Sequence, residues 1–163
     1  VPAQTDADVW AGITDKPIAY VPMPQYQPAV FTGIKLELGG PWAFYRKFYP
    51  AHGLTSLETL VTPQSALSAN RELWVPMLLH NHSDSSADIT LHADLPAGWT
   101  GNTEDRKYHL EPGSTYPIEI FLNAPADAKQ KSPQRLSWMA IQNGAAVGKV
   151  ELSVYLEYND VPQ

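Results

Sequence analysis

An all-β fold, an immunoglobulin-like antiparallel β-sandwich of about seven strands with an N-terminal extended, edge-strand segment packed on it, is predicted by three sequence features. Ile89, Leu91 and Ala93 alternate strictly with Asp88, Thr90 and His92, the period-2 pattern of a strand with one wet face. Asn143-Gly144 separates two alternating apolar runs and is a strong two-residue hairpin signal. Finally, 15 prolines and 10 glycines are spread along the chain without a repeat, which suits short strands joined by turns.

The stretch Leu73–Trp99 sets the pattern for the rest. Val75, Met77 and Leu79 alternate with Trp74, Pro76 and Leu78, so this strand is apolar on both faces and belongs deep in the fold. His80 to Ala87 gathers Asn, His, Ser and Asp, whose short side chains bond to nearby backbone and favour turns. The alternating strand follows. Leu95-Pro96-Ala97-Gly98-Trp99 then forces a sharp corner that returns Trp99 to the core. Upstream, Leu57–Thr62 and Ala66–Ser68 read as a first strand split at Pro63. Downstream, Arg106–Leu110 is a short strand and Glu111-Pro112-Gly113-Ser114 a turn. Thr115–Asn123 aligns Tyr116, Ile118, Ile120 and Leu122 on one face, and Ala124–Pro133 is a polar loop. Leu136–Gln142 and Val147–Glu157 form the hairpin around Asn143-Gly144. This alternation places Val75, Met77, Ile89, Leu91, Trp99, Ile118, Ile120, Trp138, Leu152 and Val154 inside two packed sheets.

The chain divides into residues 1–56, an aromatic- and Pro-rich strap or linker to an upstream domain, and residues 57–163, the sandwich. The first part holds nine of the seventeen aromatics, too many for a solvated linker. Asp6–Ala11 could form a helical turn capped by Asp6, and Ile18–Met23 and Phe31–Leu38 read as strands. Prolines at 17, 22, 24 and 28 sit best on sheet edges, so Ile18–Leu38 is expected to cover edges otherwise open to other chains. The start at Val1-Pro2, without Met or an apolar signal core, reads as a piece of a longer protein.

Composition narrows the function. The net charge is −6 with only 11 Lys plus Arg, so no basic stripe exists for nucleic-acid phosphates. No run approaches the roughly 18 apolar residues of a membrane-spanning helix. Absence of cysteine excludes a disulfide scaffold, a thiol nucleophile and thiolate metal sites. No Gly-x-Ser-x-Gly elbow, phosphate loop or dinucleotide fingerprint is present, and no cofactor is called for.

The aromatics are the leading site candidates. Trp42, Phe44, Tyr45 and Tyr49, beside Arg46, Lys47 and His52, could form a glycan platform. Ring faces lie against the C–H face of a pyranose while polar neighbours bond its hydroxyls. The plainer alternative packs Trp42 and Phe44 on the sandwich and leaves the others as rim. His80 and His82 are a weaker lead, as a metal pair with Asp84, His92 or His109 as third ligand. Zinc needs three or four convergent ligands, and the plainer reading is polar residues entering a turn. Asn81-His82-Ser83 is formally a glycosylation acceptor.

Trp74-Val75-Pro76 into His80-Asn81-His82-Ser83, then Leu95-Pro96-Ala97-Gly98-Trp99 and Leu110-Glu111-Pro112-Gly113, resembles the NPCBM-associated sandwich domain of α-galactosidase-type proteins over about Leu57–Glu157. By its layout, the whole chain with its GGPWAFYRKFYPAHG link is similar to the C-terminal non-catalytic part of bacterial PIG-L (LmbE-like) sugar deacetylases. Their zinc-binding signature is not in this chain. The resemblance implies a non-catalytic accessory domain of an exported bacterial carbohydrate-active enzyme, extracellular or periplasmic. Its partners would be the upstream catalytic domain of the same polypeptide and carbohydrate. The alternatives are a metal-dependent hydrolase using His80 and His82, or a pure protein-interaction module.

Overall fold

The computed structural model describes residues 32–68, 71–125 and 133–157. Their strands are β1 (Ile34–Leu38), β2 (Gln64–Ser68), β3 (Glu72–Asn81), β4 (Ala87–Asp94), β5 (Thr100–Gly101), β6 (Arg106–Leu110), β7 (Thr115–Asn123), β8 (Gln134–Gln142) and β9 (Ala145–Glu157). Two helices, α1 (Pro41–Ala51) and α2 (Thr55–Leu60), lie between β1 and β2. One sheet has the order β1-β3-β7-β5 and the other β2-β9-β8-β4-β6. The fold class is the expected immunoglobulin-like β-sandwich. All ten residues placed inside by their alternation are buried, Trp99 being the most exposed at 6%.

Turn chemistry sets the registers. Asn143 (φ 52°) and Gly144 (φ 80°) are both left-handed, as a type I′ hairpin between β8 and β9 requires. Ser114 N donates to Glu111 O (3.1 Å) across Pro112-Gly113, closing the turn into β7. Asn81 ends β3, fully buried. Its Nδ2 donates to Ser85 O (2.8 Å), Leu110 O (3.3 Å) and Glu111 O (3.2 Å). Its Oδ1 accepts from Ser83 N (3.1 Å) and Ser83 Oγ (2.6 Å). With every polar atom engaged and no exposure, Asn81 is a structural residue and cannot present itself as a glycosylation acceptor.

The structure departs from the sequence reading in four places. Leu57–Thr62 is not half of a split strand. Leu54, Leu57 and Leu60 are spaced by three, and the backbone follows that helical period as α2 before extending into β2. The GGPWAFYRKFYPAHG link is largely helical, with Pro41 in the first turn of α1, where its missing N–H costs nothing. The pairing of β2 with β9 is parallel, the exception in an otherwise antiparallel set. Thr100–Gly101 adds a short strand beside the end of β7. Of the N-terminal segment, Ile34–Leu38 is the edge strand of the first sheet, with Ile34, Leu36 and Leu38 buried. The readings at Asp6–Ala11 and Ile18–Met23 lie outside the described residues.

Close packing across the sandwich rests on Gly148. A Cβ there would come within 3.3 Å of both Leu36 N and Leu36 Cβ. β9 therefore brings bare backbone against β1, next to a register shift at Ala140/Ile141.

Two stability outcomes are expected. Asn81→Ala strands the Ser83 donors and several turn carbonyls, and should cost about 2–3 kcal/mol, read as a lower urea midpoint at unchanged slope. The second compares two buried tryptophans. Trp99 Nε1 donates to the buried Gln134 Oε1, whereas Trp138 Nε1 has no partner. Trp99→Phe should therefore destabilise more than Trp138→Phe in paired melts, since only the former orphans a buried acceptor.

Candidate functional site

The site begins where β1 ends. Gly39 N donates to Pro76 O (2.8 Å). At Gly40 (φ 54°), a Cβ would meet Pro76 Cγ at 2.8 Å, so a side chain there is barred by both backbone and space. The chain thus crosses the outer face of the first sheet at Pro76 and launches α1 beside β1.

A carboxylate fastens the helix. Glu37, on the outward face of β1, pairs with Lys35 Nζ (2.6 Å), Arg46 Nε (3.5 Å) and His80 Nε2 (2.9 Å). Arg46 also donates through Nη1 to Leu38 O (2.5 Å), so one guanidinium ties α1 to both backbone and side chain of β1. Burial pushes the Glu37 carboxyl up. The Lys35 hydrogen bond, the Arg46 and Lys35 charges and the His80 bond outweigh it and hold the group below its ordinary 4.5. At the other edge of the helix, Trp42 Nε1 donates to Gln64 O (3.2 Å), fixing α1 against the start of β2.

Between α1, β1 and the strands β2 and β9 runs an open groove of about 1180 Å³. Trp42, Tyr45, Tyr49 and Trp74 supply its aromatic surface, and Lys35, Glu37, Arg46, Lys149 and Glu151 line it with charge. The tyrosines stack along the helix at 6.1 Å with rings 29° apart. Trp42 is half-buried against the core, while Tyr45 is 53% exposed.

The four aromatic candidates are therefore not one surface. Trp42, Tyr45 and Tyr49 line the groove. Phe44 does not: it is 63% exposed and stacks on Phe48 at 5.9 Å. The alternative that packs Trp42 and Phe44 on the sandwich describes Trp42 alone. Trp74 and Glu37 were passed over by sequence reasoning. Trp74 carried a signal, since it alternates with buried Val75 and so must face outward.

The histidines are dispersed. The rings of His80 and His82 stack at 5.3 Å, and His80 is held between Glu37 and Thr115 Oγ1 (2.8 Å to Nδ1). His92 pairs with Asp105 (2.7 Å) and His109 with Asp88 (2.7 Å), both on the β4–β6 side of the other sheet. Among the described residues no group of three or more His, Asp or Glu is placed to hold a metal ion.

No protein-family model matches this chain, and no curated protein matches it. Among solved structures it is similar to a FixG-related protein from Vibrio parahaemolyticus, at 14% identity over 53% of this chain and 79% of that one, with TM-score 0.45. It is also similar to the apo-form Calx CBD1 domain, at 9% identity over 77% of this chain and 98% of that one, with TM-score 0.43. No helix among the described residues is long and apolar enough to cross a membrane.

The two ionic arrangements respond to pH in opposite senses. Glu37 titrates below 4.5 when folded, so its contribution is present above pH 4.5 and lost as pH falls through the lowered value. His109 is raised above 6.5 by its hydrogen bond to Asp88, then by the charges of Asp88 and Glu111. Its contribution is complete below pH 6.5 and lost as pH rises through the raised value. Following His109 by NMR, Asp88→Asn should move its midpoint back towards 6.5. An unmoved midpoint would show that Asp88 is not the cause.

Proposed function

We propose that this chain is a non-catalytic β-sandwich module that binds saccharide in the groove beside α1. It serves as an accessory domain of an exported bacterial carbohydrate-active enzyme, orienting the catalytic domain of the same polypeptide. The observation that carries the reading is the groove wall. Trp42, Tyr45, Tyr49 and Trp74 offer ring faces for the apolar side of a sugar, and Lys35, Glu37, Arg46 and Lys149 stand beside them for its hydroxyls. A clasped helix on a rigid sheet supplies these rings already positioned, which lowers the ordering cost of binding. The Phe44–Phe48 side of α1, turned from the groove, offers an apolar face to the neighbouring domain. The resemblance read from the sequence to NPCBM-associated and PIG-L-associated domains, itself part of this proposal, implies the same role.

The test is a panel of soluble polysaccharides run by affinity electrophoresis and calorimetry on the whole chain. Trp42→Ala and Tyr45→Ala should each weaken retention by about 1–3 kcal/mol, while Phe44→Ala leaves it intact. Binding that is indifferent to Tyr45 and lost with Phe44 would move the site off the groove and defeat the proposal.

A further inference from the structure

Part of the groove beside α1 is the place of a strand that stops short. β2 runs parallel to β9 only over Gln64–Ser68, opposite residues 153–157. Upstream of β2 the chain leaves β9. Val61 N donates to Leu57 O (3.1 Å) in the last turn of α2, so the segment that would continue β2 along β9 is helical instead. Pro63 marks the break. Ser153 N donates to Pro63 O (2.8 Å), but the next ladder bond, to Glu151 O, would need the N–H that Pro63 lacks.

Parity shows what is left uncovered. Along a strand, successive residues turn their N–H and C=O to alternate sides. Ser153 turns to β2, so Glu151 and Lys149 turn the same way, while Leu152 and Val150 face β8 at Leu136 and Trp138. Among the described residues nothing hydrogen-bonds the main chain of Lys149 or Glu151, and both residues line the groove. β1 turns a free edge to the same groove. Its Gly33 and Gly39 bond to β3 at His82 and Pro76, so Leu36 and Leu38, both lining residues, turn their main chain away from β3. The Leu38 carbonyl that accepts from Arg46 is one of these groups.

Two N–H and two C=O groups at ladder spacing along β9 match another main chain, whose donors and acceptors alternate at the same repeat. We propose that this edge takes an extended segment of another polypeptide, which adds to β9 in line with β2. The pleat sets the segment's pattern. Residues beside Lys149 and Glu151 point outward and suit polar side chains. The one beside Val150 turns inward, on the side of the fully buried Leu152 and Val154, and suits an apolar one. From Lys149 to Glu151 the free edge spans about 10 Å, so a peptide of eight residues covers it. The inference goes beyond the saccharide reading and does not rest on it, since it uses main-chain groups of β9 rather than the rings of α1.

The experiment selects linear octapeptides from a display library on the whole chain, then measures the best binder by calorimetry. Glu151→Pro removes a ladder donor without touching a β8–β9 bond, and Glu151→Ala keeps that N–H. Both lose the Lys149 ion pair, so their difference reports the N–H alone. With melting temperatures checked, the proline variant should bind about tenfold more weakly than the alanine variant. Amide exchange on the unmutated chain gives a second reading that needs no variant to fold. Lys149 and Glu151 should exchange quickly alone and at least about tenfold more slowly with peptide bound. Retention of no octapeptide, equal affinity of the two variants, or unprotected Lys149 and Glu151 amides in the complex would overturn the proposal. Dimerisation of the chain by itself that Glu151→Pro abolishes would make a second copy the occupant, and would overturn it too. Saccharide retention, read separately through Trp42→Ala and Tyr45→Ala, stands or falls independently of these results.

Discussion

The carboxamide of Asn81 is the constraint on which this sandwich closes. Every strand turn is a place where backbone groups lose their ladder partners, and buried ones must find others. Asn81 meets that need for two turns at once. Its amide nitrogen serves carbonyls at Ser85, Leu110 and Glu111, which belong to the β3–β4 connection in one case and the entry to the β6–β7 turn in the others. β3 lies in one sheet and β6 in the other, so a single side chain sets how the two sheets meet at that end. A hydrophobic residue of similar volume would fill the space but leave the turns unsatisfied, and the desolvation cost would fall on all of them.

Closure at the opposite edge is done by shape. Gly148 lets β9 touch Leu36 without a side chain between them, which pulls the edge strand β1 down on the second sheet. That approach fixes where Lys35 and Glu37 stand, and Glu37 then holds Arg46 and with it α1. The aromatic groove is thus the last consequence of a packing choice. Its rings are positioned by a helix, the helix by an ion cluster, and the cluster by an edge strand packed tightly against Gly148.

What the sequence made legible follows from range. Period-2 alternation is a local property, and it placed the buried faces of β4, β7, β8 and β9 correctly, whereas β3, read as buried on both faces, leaves Trp74 45% exposed on the outer one. Asn143-Gly144 and Pro112-Gly113 are local too, since positive φ is written in the residue type. The first helix was missed although its aromatics are spaced at helical intervals, Trp42, Tyr45 and Tyr49 on one side and Phe44 and Phe48 on another, because the flanking Gly39-Gly40 and Pro50 read as a broken link. In α2 the three-spaced leucines compete with a strand reading of the same few residues. The Glu37 clasp reaches His80, 43 residues away, and no local pattern encodes such a pair. The same range limit applies to His80 and His82, whose plainer reading was polar residues entering a turn. Their spacing suggests ligands, but His92 and His109, the histidines that might have joined them, pair with Asp105 and Asp88 in the other sheet.

Why a groove should lie beside β1 rather than along β7 or β6 follows from how those two edges are blunted. Phe121 faces β7's outer side, where Asn102 N donates to its carbonyl (2.9 Å) and Asn102 Oδ1 accepts from its N–H (3.0 Å). Thr115, Pro117 and Glu119 share that orientation by the two-residue repeat, so Pro117 presents no N–H just where an added strand would need one. The same parity puts the missing N–H of Pro76 on the side of β1, beyond that strand's last residue, where no ladder bond is lost. Along β6, Arg106, Lys107 and His109 put charge on the edge, and Tyr108 meets Tyr116 at 5.1 Å to shut the space between the sheets. At β1 the edge instead meets β9 at Gly148 and α1 through Arg46 on the Leu38 carbonyl, the helix being set off from the sheet by Gly39-Gly40. A helix covers an edge less completely than a strand would, and the gap it leaves is lined by its own rings. Edge protection and the aromatic groove are therefore one device at this side of the fold.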